Sequence, residues 1–176
     1  MHNKKSIQLV RDILGAKHNL SQDAGIYAYW WVGPREILLH ADREIWLKGP
    51  GGIEVKVEYH DWWPKKLSYP CLYVGKTTNI HRRFNQHIMP KTKPNGRLHD
   101  KHKNFRKVIS YNSTCQLRFV IEHIFPNLES SLDIIKSNVG FSYNSGFKVN
   151  AIAERFFEED RLIGSWRPWF NIDAER

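Results

Sequence analysis

The chain has 176 residues, 41% hydrophobic and 13% aromatic, which suits one folded domain with a proper core and excludes a disordered chain. Its net charge of +9 points to a polyanionic partner, nucleic acid first and an anionic membrane surface second. No apolar run approaches the roughly 18 residues of a membrane span, and no secretory apolar stretch opens the chain, so a membrane protein is not expected.

Residues Lys5 to Leu14 carry Ile7, Leu9, Val10, Ile13 and Leu14 at helical spacing and predict a packing helix within residues 1–20. The turn-rich piece Ser21-Gln22-Asp23-Ala24-Gly25 leads into Ile26 to Val32, dense in aromatic and β-branched residues, which predicts a strand stopped by Gly33-Pro34. Two further strand-like runs, Glu36 to Leu47 and Ile53 to Tyr59, flank Gly49-Pro50-Gly51-Gly52 and predict a hairpin within residues 33–70. Trp62 and Trp63 suit either base stacking or packing at a strand end.

The stretch Cys71 to Ile88 is the most informative. Leu72-Tyr73-Val74 reads as a buried strand ending at Gly75, and Thr78 or Asn79 as the cap of a helix with Ile80, Phe84, His87 and Ile88 on one face. Arg83 and His87 project to the same side of that helix. With Lys76 they form either a phosphate site or the solvated face of a basic helix. Cys71 and Cys115 both lie in apolar runs, which predicts buried thiols in a reduced, cytoplasmic protein.

Residues 89–110 are polar and basic. Lys91, Lys93, Arg97, Lys101, Lys103, Arg106 and Lys107 stand against one acid, Asp100. This segment is either a DNA-binding element, steeply salt-dependent, or a solvated loop. His99 and His102 have no companions that would complete a zinc set. Gln116 to Phe125 alternates as a strand would, Leu128 to Val139 suits a helix, and Gly140 to Gly146 reads as an exposed loop. In the last helix Val149, Ile152, Phe156, Glu159, Ile163 and Trp166 form one stripe. Glu159 within it either holds a cation, pairs with an arginine, or reflects a helix register other than this stripe. After Pro168, Asn171 can fold its amide back toward the same end of the site as Glu159.

Gly25-Ile26-Tyr27 and Tyr73-Val74-Gly75 resemble the two signature tripeptides of the GIY-YIG nuclease superfamily. The resemblance continues at Arg83, ten residues past Tyr73, then at Glu159 and, twelve residues later, at Asn171. It spans residues 25 to 171. Tyr27 and Tyr73 lie 46 residues apart, where the family usually has about a dozen, and the excess is the hairpin region. Arg83 with His87 resembles the restriction-enzyme branch.

The resemblance implies an α+β fold: a small central antiparallel sheet of three core strands plus the inserted hairpin, flanked by helices, in a single nuclease domain. It implies that Glu159 binds one Mg²⁺ or Mn²⁺, that Arg83 holds a phosphate oxygen and that Tyr27 accepts the proton of the attacking water. Tyr73 would position the water or phosphate, Lys76 would lower the Tyr27 pKa, His87 would relay the proton or bind phosphate, and Asn171 would anchor the surroundings of Glu159. The expected activity is endonucleolytic cleavage of double-stranded DNA to 5′-phosphate and 3′-hydroxyl ends by a type II restriction endonuclease. Such an enzyme has a cognate DNA methyltransferase, and a two-fold recognition site would favour a homodimer. A repair or mobile-element nuclease and a non-catalytic DNA-binding protein are the alternatives.

Overall fold

The structure is a computed structural model and describes residues 4–16, 19–48, 54–88, 97–98, 106–107, 116–125 and 130–171. After a 3₁₀ turn at Lys4–Ser6, the elements in chain order begin with β1 (Gln8–Leu9), α1 (Val10–Gly15), β2 (Gly25–Trp31), α2 (Arg35–Leu39), β3 (Glu44–Lys48) and β4 (Glu54–Glu58). They continue with β5 (Cys71–Thr77), α3 (Ile80–Ile88), β6 (Arg97–Leu98), β7 (Arg106–Lys107), α4 (Gln116–Ile124), α5 (Ser131–Asn138), β8 (Val139–Asn144) and α6 (Ile152–Trp166).

The central sheet is antiparallel, with the order β1-β8-β2-β5, and helices flank it. This is the mixed helix-and-sheet architecture that the resemblance implies. β2 lies inside the sheet, and all seven of its residues are buried. Alternation sends Tyr27, Tyr29 and Trp31 into one core cluster with Phe84, Ile88 and Phe141, and sends Ile26, Ala28 and Trp30 into a second with Leu162 and Trp166. α3 therefore covers one face of the sheet and α6 the other.

Several elements differ from the sequence reading. The helix expected over Lys5–Leu14 is shortened to α1, because Gln8 and Leu9 pair with Phe141 and Gly140 and add a fourth strand. The strand-like run Glu36–Leu47 opens as α2, which starts straight after Pro34, whose φ of −55° suits a helix start. Only its second half is the strand β3, which pairs with β4 in a sheet of its own; the turn between them lies outside the described residues.

Gln116–Phe125 is helical, not extended. Leu117, Val120, Ile121 and Ile124 are the buried positions, and three-and-four spacing outweighs the short alternation. Gly140–Gly146, read as an exposed loop, is instead mostly β8, an inner strand between β1 and β2. Its Ser142 is buried at no polar cost, since Trp30 Nε1 donates to its hydroxyl at 2.8 Å. β5 runs past Gly75 to Thr77. The helix α5 falls within the expected span, with the Ser130 hydroxyl capping it by accepting from Asp133 N at 3.3 Å.

α6 is rotated relative to the expected stripe. Its buried face is Arg155, Glu159, Leu162 and Trp166, whereas Val149, Ile152 and Phe156 are 63%, 58% and 47% exposed. α6 ends at Arg167, whose φ of 51° lies in the left-handed region. The reversal lays the tail along the free edge of β5, where Phe170 N donates to Leu72 O at 2.8 Å. Trp63 is buried against Trp169, with ring centroids 5.1 Å apart, while Trp62 is exposed and stacked on His60 at 4.8 Å. Cys71 is a buried free thiol, and Cys115 lies outside the described residues. No helix among the described residues is long and apolar enough to cross a membrane.

Candidate active site

Register brings the first pair of groups together. Tyr27 on β2 sits opposite Gly75 on β5, and Tyr73 lies two residues earlier on the same strand. A Cβ at Gly75 would collide with the Tyr27 hydroxyl and the edge of the Tyr73 ring, so only glycine leaves room for both phenols. The two rings lie 6.0 Å apart, centroid to centroid.

Helix α3 supplies the next pair. Asn79 caps it, its Oδ1 accepting from Arg82 N at 2.7 Å. The cap fixes the register that turns Phe84 and Ile88 into the core and aims Arg83 and His87 at the tyrosines. Arg83 Nε donates to Tyr27 Oη at 3.0 Å, and His87 Nε2 lies 2.9 Å from the same oxygen. One phenol oxygen therefore has two ring or guanidinium nitrogens on it. His87 Nδ1 is buried and has no hydrogen-bond partner among the described residues.

Burial controls the electrostatics here. It raises the Tyr27 pKa well above the ordinary value, the neighbouring Tyr73 adds to this, and the Arg83 charge opposes it. Tyr73 is also raised, first by burial; Arg83 pulls it back and Glu159 pushes it further up. Burial, with Arg83 beside it, holds the His87 pKa well below its usual value, so the imidazole is neutral at pH 7. Burial works against the Arg83 charge, yet the two phenols more than offset it and raise the Arg83 pKa.

Glu159 reaches the site from the other face of the sheet. The residue is buried on α6, at 6% exposure, and its carboxylate forms an ion pair with Lys76 Nζ. Lys76 is the residue after Gly75 on β5, and alternation turns it toward α6. Its ammonium also lies 3.7 Å over the Phe156 ring. Lys76 is thus bonded to Glu159, while the cation bonded to Tyr27 is Arg83. The Tyr27 ring packs on the α3 face of the sheet and α6 covers the other; of the two phenols, Tyr73 is the one whose pKa the Glu159 charge raises.

Asn171 bonds to the backbone of β5 and not to Glu159: its Oδ1 accepts from Val74 N at 2.7 Å and its Nδ2 donates to Val74 O at 2.7 Å. The amide acts as one more rung on the sheet edge, fixing β5 between Tyr73 and Gly75. Among the basic residues, Arg97, Arg106 and Lys107 fall in the pair β6–β7, where Arg97 faces Lys107 across the ladder. Lys91, Lys93, Lys101 and Lys103 lie outside the described residues. Phe156, part of the stripe that the sequence assigns to the core, lies instead at the rim of the site because α6 is rotated.

No curated protein and no solved structure matches the chain. The family model of the GIY-YIG catalytic domain matches residues 66–120. Over that stretch, which holds Tyr73, Gly75, Lys76, Arg83 and His87 and leaves Tyr27, Glu159 and Asn171 outside, the chain is similar to the GIY-YIG catalytic domain.

Proposed function

We propose that this chain is a metal-dependent endonuclease hydrolysing phosphodiester bonds of double-stranded DNA and, in its biological role, a type II sequence-specific restriction endonuclease. The observation that carries the reading is the Tyr27 hydroxyl, bonded at once to Arg83 and His87 beside Tyr73. Phosphodiester hydrolysis needs a proton acceptor for water and fixed donors for the charge that grows on the phosphate. This cluster offers both in one place.

The reading requires one Mg²⁺ or Mn²⁺, and Glu159 suits it. Its buried carboxylate already carries a cationic group, and no cluster of three or more His, Cys, Asp or Glu gathers among the described residues. A single carboxylate fits an ion that keeps most of its waters and shares the substrate phosphate. Bound there, the ion would offset charge on the phosphate and on the departing 3′ oxygen.

The rest is done by the chain. Arg83 offers its fork of donors to a non-bridging oxygen of the phosphate. Tyr27 takes the proton of the attacking water, helped by Arg83, whose charge counters the effect of burial on the phenol. His87, neutral and 2.9 Å away, is the acceptor that the Tyr27 hydroxyl meets for the proton it already carries, a weak one because burial and Arg83 hold its pKa down. Tyr73 orients the water or phosphate, and Asn171 keeps β5 in register beneath both phenols. Attack on phosphorus with loss of the 3′ oxygen leaves 5′-phosphate and 3′-hydroxyl ends.

Incubation with plasmid DNA and Mg²⁺ tests this. Discrete fragments are expected, and DNA modified by a cognate methyltransferase should resist cutting. Nicks or a smear would favour a repair or mobile-element nuclease, and a gel shift without cleavage a binding protein. Glu159→Ala should abolish cleavage and leave DNA binding largely intact; full activity in that variant would remove Glu159 from the mechanism.

A further inference from the structure

Lys76 stands where a metal-binding carboxylate would have its cation. Glu159 is 6% exposed, and a carboxylate that deep is stable only with a positive partner. The Lys76 ammonium is that partner, and the Phe156 ring, one turn earlier on α6, lies 3.7 Å beneath it. We propose that Lys76 is a displaceable counter-ion: it holds Glu159 charged and in place until a divalent cation arrives, then swings out to a substrate phosphate. The inference rests on the nuclease reading for the second position of the ammonium. Its first half, competition for one carboxylate, rests on the same reading for the divalent cation at Glu159.

Three features favour displacement over a permanent salt bridge. The side chain of Lys76 is 25% exposed against 8% for that of Glu159, so the lysine is the more open partner of the pair. Lysine is a point charge on a flexible stem, whereas a structural clamp on a carboxylate is better served by the planar fork of arginine. Phe156 is 47% exposed, so the aromatic half of the lysine's seat is at the rim and water reaches it. An ammonium and a divalent ion on the same carboxylate repel strongly at low dielectric, so occupancy is exclusive. Exclusive occupancy makes Lys76 and the metal linked ligands of Glu159, and weakening one must strengthen the other.

The test is metal binding by the full chain without DNA, read from the electron paramagnetic resonance of free Mn²⁺. Lys76→Met, which keeps the stem and removes the charge, should tighten Mn²⁺ binding by about tenfold or more. Lys76→Arg, which keeps the charge and grips the carboxylate with two donors, should weaken it and serves as the test if Lys76→Met does not fold. Unchanged or weaker binding in Lys76→Met, or unchanged or tighter binding in Lys76→Arg, overturns the inference. Glu159→Gln separates the two proposals. If it leaves Mn²⁺ binding intact, the metal role of Glu159 fails with everything built on it. If it abolishes binding while the Lys76 variants match the parent, only the displacement fails.

Discussion

At the scale of single residues, Arg83 and His87 share one oxygen and do different things to it. Arg83 is a fixed donor to Tyr27, so Arg83→Ala removes both the support for the phenol and the proposed phosphate clamp. Turnover should fall by about 10²–10³, as when one transition-state donor is removed, with circular dichroism unchanged. His87 has a depressed pKa in the folded chain, caused by burial and then by Arg83, and Tyr27, Tyr29 and Tyr73 are its other polar neighbours. The unfolded chain gains the proton as pH falls through about 6.5, and the folded chain resists it. The contribution to stability is therefore intact above that pH and is lost below it. Urea midpoints measured at pH 7.5 and pH 5.5 should show a drop that His87→Gln reduces; equal drops in both proteins would show that the imidazole is not held neutral.

At the scale of elements, the site depends on how β2 and β5 lie side by side. Gly75 faces Tyr27 across the ladder, and the space above it is filled by two phenol rings. Gly75→Ala should cost about 1–3 kcal/mol, the usual penalty for overpacking, and should displace the rings that the chemistry needs. Activity should fall by more than the stability loss explains, which urea denaturation and cleavage assays on one preparation will show. If activity is retained at full stability, the close packing of the two tyrosines is not needed. The Asn171 amide supports the same strand from its outer edge through two bonds to Val74.

At the scale of the whole molecule, the +9 charge is the property that finds a polyanion. If Lys101, Lys103, Arg106 and Lys107 meet phosphates, replacing all four by Gln should flatten the plot of log K against log salt. The slope should change by about 0.9 for each phosphate that is no longer neutralised. A fluorescence anisotropy titration at several salt concentrations measures this, and an unchanged slope would assign phosphate binding to other surfaces.

How much of the fold and site is legible in the amino-acid order follows the range of the interactions. Local patterns specify β2, β5 and α3, because aromatic and β-branched runs, a glycine and an Asn cap act within a few residues. The order of the motifs also brings Tyr27, Tyr73, Arg83, His87, Glu159 and Asn171 to notice. Short ambiguous runs mislead. Gln116–Phe125 alternates and is also helical in spacing, and Gly140–Asn144 has turn-forming residues yet is held as a strand by neighbours on both sides. What only the tertiary structure decided is partnership: Arg83 and not Lys76 on Tyr27, Lys76 on Glu159, Asn171 on Val74. The amino-acid order specifies which groups are present and how they are spaced along the chain, but not which face of α6 is buried. Which charge meets which depends on the packing of α3 and α6 on opposite faces of one sheet, and that is set by burial summed over distant segments.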